Sequence, residues 1–146
     1  MPRNSVAYDK DFFAWTQEQA RLLREGELAG VDVENLAEEI EGMGKSLRRE
    51  LRNRLSALLM HLLKWAYQPA FRSRSWSNTI VEQRKQIAAV IDEAPSLHAL
   101  LGSELPNIHS LAVTKASSET GLDEASFPAE CPYTPEQILS EDFLPE

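Results

Sequence analysis

Apolar residues recur at helical spacing through most of the chain, and no segment shows the two-residue alternation of a half-buried strand. The longest stripe advances in steps of three or four residues and contains Leu36, Ile40, Met43, Leu47, Leu51, Leu55, Leu58 and Leu62. Its phase continues through Gly42 and Gly44, although each glycine costs roughly 1 kcal/mol relative to alanine inside a helix. The pattern therefore predicts one long helix over about residues 33–67, capped by Asp32 and ended by Pro69. A bend is expected at the two glycines.

Shorter helices are predicted on both sides of the long one. The first runs from a cap at Asp9 to about Glu25. Its predicted buried face consists of Phe12, Trp15, Leu22 and Leu23. Two later helices are bounded by residues that cap or stop helices: Ser73 or Ser75 and Pro95 for one, and Ser96 and Gly121 for the other. Pro106 predicts a kink or break in the last of these helices.

Residues 122–146 are predicted to form a proline-rich tail with one short helix. Thr134 followed by Pro135 is typical of a helix cap and first helical position. The tail also contains large apolar side chains, namely Phe127, Tyr133, Ile138, Leu139 and Phe143. We therefore expect the tail to pack on the helices.

These elements predict an all-α fold, a helical bundle with one long bent helix, three shorter helices and the tail. A chain of 146 residues suits one domain that buries roughly 70% of its unfolded surface. We expect a single domain over residues 1–146, with residues 1–8 as an N-terminal arm.

Six blocks of sequence carry a family resemblance. They are FAWTQEQARLLR, ENLAEEIEGMG, LLMHLLKWAYQP, SRSWSNTIVEQR, APSL and FPAECPYTPEQIL. In this order and spacing they resemble a bacterial family of unknown function, the domain-of-unknown-function family numbered twenty-nine. The resemblance extends from about Tyr8 to Pro145. It implies an all-helical, single-domain bacterial protein, and it supplies no activity for any residue.

The net charge of −8 is unevenly distributed along the chain. Residues 1–44 have a net charge of −6, residues 45–85 of +8 and residues 86–146 of −10. Two interpretations remain open: the basic middle is neutralised internally by the acidic ends, or it forms an exposed patch for an anionic partner. The overall acidity argues against a general nucleic-acid binder, which is usually basic.

Cysteine content and hydropathy predict the compartment. The single Cys131 excludes an internal disulfide framework and favours a reducing environment. No signal peptide is expected, because no basic segment followed by an apolar run begins the sequence. The longest apolar stretch, Leu55–Ala66, is too short for a membrane span of about 20 residues. We expect a cytoplasmic protein that does not cross a membrane.

Arginine and tryptophan side chains supply the candidate binding residues. Those around the corner after the long helix are Trp65, Arg72, Arg74, Trp76 and Arg84, and those on the long helix are Arg48, Arg49 and Arg52. The corner residues form either a binding surface or a buried polar clamp. The helix residues form either a solvated face with a Glu50–Arg54 pair or a surface for an anionic partner.

His61 and Arg54 are the only candidates for catalysis. They lie two helical turns apart on nearly the same face, with six residues between them. This arrangement resembles the active-site motif of small helical ribonucleases of the HEPN superfamily, in which histidine would transfer a proton and arginine would hold a phosphate. The alternative is a histidine that caps the core and bonds to neighbouring protein groups.

No metal or cofactor is predicted. Glu38, Glu39 and Glu41 form an acidic cluster on the long helix, but the Glu-x-x-His pairs of helical metal sites are missing. His98 and His109 are three helical turns apart, which is too far for one ion.

Because no credible catalytic set emerges, we favour a non-enzymatic helical module that binds another protein or itself. A helix of roughly 50 Å outruns a globule whose radius of gyration is about 15 Å, so a homodimer is the favoured assembly. The alternative is a small helical enzyme centred on His61 and Arg54, either metal-independent and ribonuclease-like or metal-dependent.

Overall fold

The chain is all-α. The structure, a computed structural model, describes residues 5–146, with side chains from Tyr8 onward. Its helices are α1 (Ser5–Lys10), α2 (Phe12–Arg24), α3 (Val33–Tyr67), α4 (Arg74–Glu93), α5 (Leu100–Ser103), α6 (Leu105–Thr120) and α7 (Pro135–Leu139). Short 3-10 turns occupy Leu28–Gly30, Pro69–Phe71, Pro95–Ala99 and Glu124–Ser126. No β-strand occurs between residues 5 and 146, which confirms the predicted fold class.

The long helix α3 has the predicted bounds. Its 35 residues run without interruption through Gly42 and Gly44. Pro69 begins a 3-10 turn directly after it, as expected for a residue that cannot continue the α-helix. None of the helices formed by the described residues has both the length and the apolar character that a membrane span requires.

The chain divides into two compact units, one up to Ser46 and the other from Leu47 onward, and the division falls inside α3. The prediction of a single domain over residues 1–146 stays a prediction.

The first unit begins differently from the prediction. Residues 1–4 of the predicted arm lie outside the described residues, and the helix α1 begins at Ser5. Asp11, not Asp9, caps α2, because its carboxylate accepts the amide hydrogen of Ala14 at 3.0 Å. The ring of Tyr8 on α1 lies 4.8 Å from the ring of Trp15 on α2. This aromatic contact explains why the segment before Asp11 is held as a helix rather than as an arm.

The second unit is built on the C-terminal half of the α3 stripe. Leu51, Leu55, Leu58 and Leu62 are fully buried. They belong to one core cluster with side chains of α4, α6 and the tail, including Ile80, Ile87, Ile108, Ala112, Phe127, Tyr133 and Ile138. The tail from Leu122 onward therefore contributes to the interior and is not a free end.

The predicted fourth helix is broken into three pieces. A 3-10 turn over Pro95–Ala99 contains Ser96, which was wrongly predicted to be a cap, and α5 follows. The helix restarts at Leu105, with Pro106 in its first turn. Proline lacks an amide hydrogen and clashes with the preceding turn, so it is tolerated only at a helix start. Gly121 ends α6 at a φ of 77°, the left-handed conformation predicted for a stop.

Arg84 on α4 attaches the tail to the second unit. Thr134 and Gln137 close a capping box at the start of α7, as expected from the Thr134–Pro135 signal. At the other end of α7, Nε of Arg84 donates to the carbonyl of Ile138 at 2.8 Å, and Nη2 donates to that of Gln137 at 3.2 Å. Arg84 is buried, and this burial lowers its pKa. The guanidinium supplies donors that a helix C-terminus lacks.

Replacing Arg84 tests this attachment. Arg84→Met keeps the volume but leaves two carbonyls without donors, so we expect the free energy of unfolding to fall by about 1–3 kcal/mol. Arg74→Met, at an exposed position of the same helix, is the control and should change it by less than about 0.5 kcal/mol. Urea denaturation followed by circular dichroism measures both. Equal effects of the two substitutions would contradict the role given to Arg84.

The glycines of α3 give a second prediction. A Cβ added at Gly42 meets no atom within 4 Å, so Gly42→Ala should raise the free energy of unfolding by about 0.5–1 kcal/mol. Gly121→Ala is the opposite control, because its positive φ should make the same substitution destabilising by about 1–2 kcal/mol. Denaturant titration measures both signs. A loss of stability in Gly42→Ala would show that this glycine is required within the monomer.

Candidate protein-interaction surface

The predicted corner around Trp65 is largely a clamp within the chain. Nε of Arg72 donates to the carbonyl of Trp65 at 2.7 Å, and its guanidinium lies 5.0 Å from the centre of the Trp65 ring. This carbonyl belongs to the last turn of α3, whose oxygens have no helical partners. Arg72 thus closes the turn between α3 and α4. The sequence alone did not decide whether this corner is a binding surface or a clamp.

Trp76 takes part in a second cation contact at the same corner. The ammonium of Lys64 lies 4.6 Å from the centre of the Trp76 ring and 2.8 Å from a carboxylate oxygen of Glu119. Lys64 is buried, so the Glu119 carboxylate and the indole face replace the water that its charge would otherwise bind. Of the remaining corner candidates, Arg74 is exposed and Arg84 is buried against the tail.

The arginines of α3 are partly neutralised inside the second unit. Nε of Arg48 lies 3.0 Å from one carboxylate oxygen of Glu104, and Nε of Arg52 lies 3.4 Å from the other. The Arg48 contact is a hydrogen bond, whereas the Arg52 contact is an ion pair without hydrogen-bond alignment. Arg49 is exposed. The basic segment is therefore less available to an anion than its sequence charge indicates.

His61 and Arg54 make ordinary contacts on α3. His61 is half-buried, and its Nδ1 lies 3.0 Å from the carbonyl of Ala57 one turn earlier. Nε of Arg54 lies 3.5 Å from Glu50, the predicted i,i+4 pair. Four surface clefts in the described part of the chain are lined by other residues. Between residues 5 and 146, no three His, Cys, Asp or Glu side chains are grouped closely enough to hold a metal ion.

A buried polar network joins α2 to the start of α3 in the first unit. The indole nitrogen of Trp15 donates to the carboxylate of Asp32 at 3.1 Å, and the side-chain amide of Asn35 donates to it at 2.8 Å. The backbone amide of Asp32 donates to Oε1 of Gln19 at 2.8 Å. Asp32 was predicted to cap α3 through its carboxylate. Its backbone carbonyl accepts the amide hydrogen of Leu36, but its carboxylate accepts the hydrogen bond from Trp15 of α2 instead.

An open apolar cleft lies between α2 and the first turns of α3. It has a volume of about 390 Å³ and is lined by Phe12, Trp15, Thr16, Gln19, Ala20, Leu23, Leu36, Glu39 and Met43. Phe12 and Leu23, which were predicted to be buried, are 49% and 46% exposed. They form the rim of the cleft, and none of the described elements of the first unit covers them. Trp15 and Leu22 are buried as predicted.

Gln19 leaves one polar atom of this cleft without a partner. Its Oε1 accepts a hydrogen bond from the backbone amide of Asp32, and this bond fixes the orientation of the Gln19 side-chain amide. Its Nε2 is buried and has no acceptor among the described residues. A buried donor without an acceptor costs free energy, and a bound chain that presents an oxygen would remove that cost.

The stripe of α3 continues past the cleft as an exposed face. Ile40 is 58% exposed, Met43 is 65% exposed and Leu47 is 36% exposed. The same stripe is fully buried from Leu51 to Leu62. The apolar spacing of this face is visible in the sequence, but spacing alone does not show that the face stays exposed.

Tyr8 and Glu39 join α1 to α3 beside the cleft. The phenol of Tyr8 donates to a carboxylate oxygen of Glu39 at 2.7 Å. This hydrogen bond is the main reason that the pKa of Tyr8 is raised from 10.0 to about 12. Because the folded chain favours the neutral phenol, the contact contributes stability up to pH 10, and the contribution is lost as the pH rises through about 12.

Titration of Tyr8 tests this contact. We expect its phenolate absorbance to appear near pH 12, and Glu39→Gln should return the pKa toward 10.0, because the charged acceptor is removed. Ultraviolet difference titration against Tyr8→Phe isolates this group from the other tyrosines. An unchanged pKa in Glu39→Gln would contradict the assignment.

Comparison with known proteins identifies the family of the chain. No curated protein and no solved structure matches the chain. The family model described as "Domain of unknown function DUF29" matches residues 7–144. The chain therefore belongs to the family of that description.

Proposed function

We propose that this protein is a non-enzymatic protein-interaction module that binds another protein chain at the α2–α3 cleft of its first unit. The observation that carries the proposal is an uncovered apolar cleft beside an exposed apolar helix face. Contiguous apolar surface of this kind is unfavourable in water and commonly marks an interaction site.

The chemistry of the cleft defines the partner segment. Apolar side chains of the rim, Phe12, Leu23 and Met43, fit an amphipathic helix laid into the groove. The unpaired Nε2 of Gln19 would gain a hydrogen bond if that segment brought an oxygen within its reach. Glu39 lines the cleft, and its carboxylate favours a basic side chain at that edge of the partner.

We expect the partner to be a protein, or a second copy of this chain, and not a nucleic acid. The first 44 residues carry six net negative charges, which repel a phosphate backbone. We place the protein in the bacterial cytoplasm on the strength of the family resemblance and the lone Cys131. The enzyme alternative has less support, because His61 and Arg54 line none of the four clefts described above.

Affinity capture from the native cell tests the proposal. Met43→Lys places a charge on the exposed face, and we expect it to remove the specific partners recovered with the unmodified chain. Glu41→Gln is the matched control, because it changes the net charge by the same amount on another side of the helix and should retain them. Charge reversal of Arg48, Arg49 and Arg52 tests the basic face separately.

Quantitative mass spectrometry of the recovered proteins measures the outcome. Equal recovery with Met43→Lys and with Glu41→Gln would exclude the cleft as the binding site. Loss of partners only after arginine reversal would assign the interaction to the basic face instead.

A further inference from the structure

We propose that a cleft between the start of α6 and the tail binds a small organic ammonium ion. The cleft has a volume of about 300 Å³ and is lined by Gly102, Leu105, Pro106, His109, Ala129, Glu130 and Cys131. This volume lies at the lower end of the range for small-molecule sites. The site is separate from the one in the proposed function, since it belongs to the second unit and takes another class of ligand.

His109 is the residue that points to a ligand. It is only 2% exposed, and its Nε2 lies 2.8 Å from the carbonyl of Pro128. Because a carbonyl only accepts, Nε2 carries the hydrogen of a neutral ring, and Nδ1 is left as an acceptor. Nδ1 is buried and has no partner among the described residues. In the second unit, His109 alone combines such an unpaired buried atom with a place in the lining of a described cleft.

A bound group that donates a hydrogen to Nδ1 removes the cost of this unpaired atom. Free energy is lost when a buried acceptor gives up water and gains no partner. An ammonium group has several N–H donors and no acceptor, so one hydrogen can reach Nδ1 while another reaches a carboxylate. The side chains of the cleft therefore select a donor rather than an acceptor.

Glu130 supplies the negative charge that an ammonium ion requires. Its side chain is exposed and forms no ion pair or hydrogen bond within the described residues. Residues 86–146 carry a net charge of −10, so their field attracts cations and repels anions. Pro106 has no amide hydrogen, so the first turn of α6 offers fewer donors to an anion than most helix starts do.

Cys131 forms part of the wall of the cleft and is not a charged ligand. Its thiol donates to the carbonyl of Tyr133 at 3.4 Å, and burial raises the pKa of the thiol. A protonated thiol is a small apolar group, and together with Leu105 and Pro106 it suits a short hydrocarbon body. A metal ion is not the expected occupant, because no three His, Cys, Asp or Glu side chains of the described residues are close enough to hold one.

Butylammonium is the probe that tests the proposal, because it joins an ammonium group to a short hydrocarbon chain. Nitrogen-15 NMR of the imidazoles follows its titration into the full chain at about pH 8, where an alkylamine is protonated. We expect the Nδ1 resonance of His109 to shift saturably, with a dissociation constant of the order of 1 mM for so small a ligand. Butyltrimethylammonium is the matched control, because it keeps the positive charge but has no N–H donor. Equal shifts with both ions, or no shift with butylammonium, would overturn the proposal.

Substitutions in the cleft test its location. A Cβ added at Gly102 meets no atom within 4 Å, so Gly102→Leu should fill the cleft and leave the fold unchanged. We expect this variant to raise the dissociation constant of butylammonium by about tenfold or more. Glu130→Gln should raise it about threefold, because an exposed charge contributes modestly. Glu136→Gln, at an exposed position of the tail outside the cleft, is the matched control and should leave it unchanged.

His109→Gln tests the acceptor itself. Glutamine can still donate to the carbonyl of Pro128, but Nδ1 is removed, so we expect binding to weaken by about tenfold. Amide chemical shifts of residues 129–131 report binding in all of these variants. An unchanged dissociation constant in His109→Gln or in a folded Gly102→Leu chain, or tighter binding of butyrate than of butylammonium, would contradict the assignment. If His109→Gln does not fold, Gly102→Leu and the butyltrimethylammonium control decide the question.

Discussion

The fold depends on removing the apolar stripe of α3 from water, but only the C-terminal half of the stripe is buried. From Leu51 to Leu62 the stripe is fully buried by α4, α6 and the tail. From Ile40 to Leu47 the same stripe is exposed, although the helix and its phase continue. Each Å² of apolar area removed from water contributes about 25 cal/mol to the free energy of unfolding. The uncovered segment of the stripe does not make this contribution in the single chain. A partner on this face would recover it.

Two buried cations, Arg84 and Lys64, and the half-buried Arg72 form contacts within the chain itself. Arg84 fixes the carbonyl end of α7, Arg72 closes the end of α3, and Lys64 is neutralised by Glu119. These contacts hold the connections between helices, because each cation satisfies carbonyl oxygens or a carboxylate that would otherwise be unpaired. Buried polar atoms without a hydrogen-bond partner occur in both units, for example Nε2 of Gln19 in the first and Oγ of Ser56 and Nδ1 of His109 in the second, so they do not distinguish the units. Binding is assigned to the first unit because of the exposed apolar rim of its cleft.

Local signals in the sequence were sufficient for much of the fold. The stripe gave the bounds of α3, Ser73 marked the start of α4, and Gly121 marked the end of α6, because each depends on backbone chemistry within a few residues. The start of α2 is different: its cap is Asp11 and not the predicted Asp9, because the contact of Tyr8 with Trp15, which no local rule supplies, holds the residues before Asp11 in a separate helix.

The binding surface was harder to predict than the helices. Periodicity identifies which side of a helix is apolar, but it does not reveal whether another element covers that side. Phe12 and Leu23 were therefore assigned to the core, although they form the rim of a cleft. Likewise, the spacing of the corner residues did not disclose that Arg72 donates to the carbonyl of Trp65. Nor did it show that Lys64 donates to Glu119 while lying over the Trp76 ring. Only tertiary contacts distinguish a clamp from a surface.

Hydrogen–deuterium exchange with and without the partner recovered by affinity capture tests the central claim most directly. We expect the amides of residues 36–43 to become more protected when the partner is bound, because the cleft that they line is then covered. Amides of residues 51–62 should be strongly protected throughout, since their side of the helix is already buried within the chain. Protection of residues 36–43 that does not change when the partner binds would contradict the claim that this cleft is the binding site.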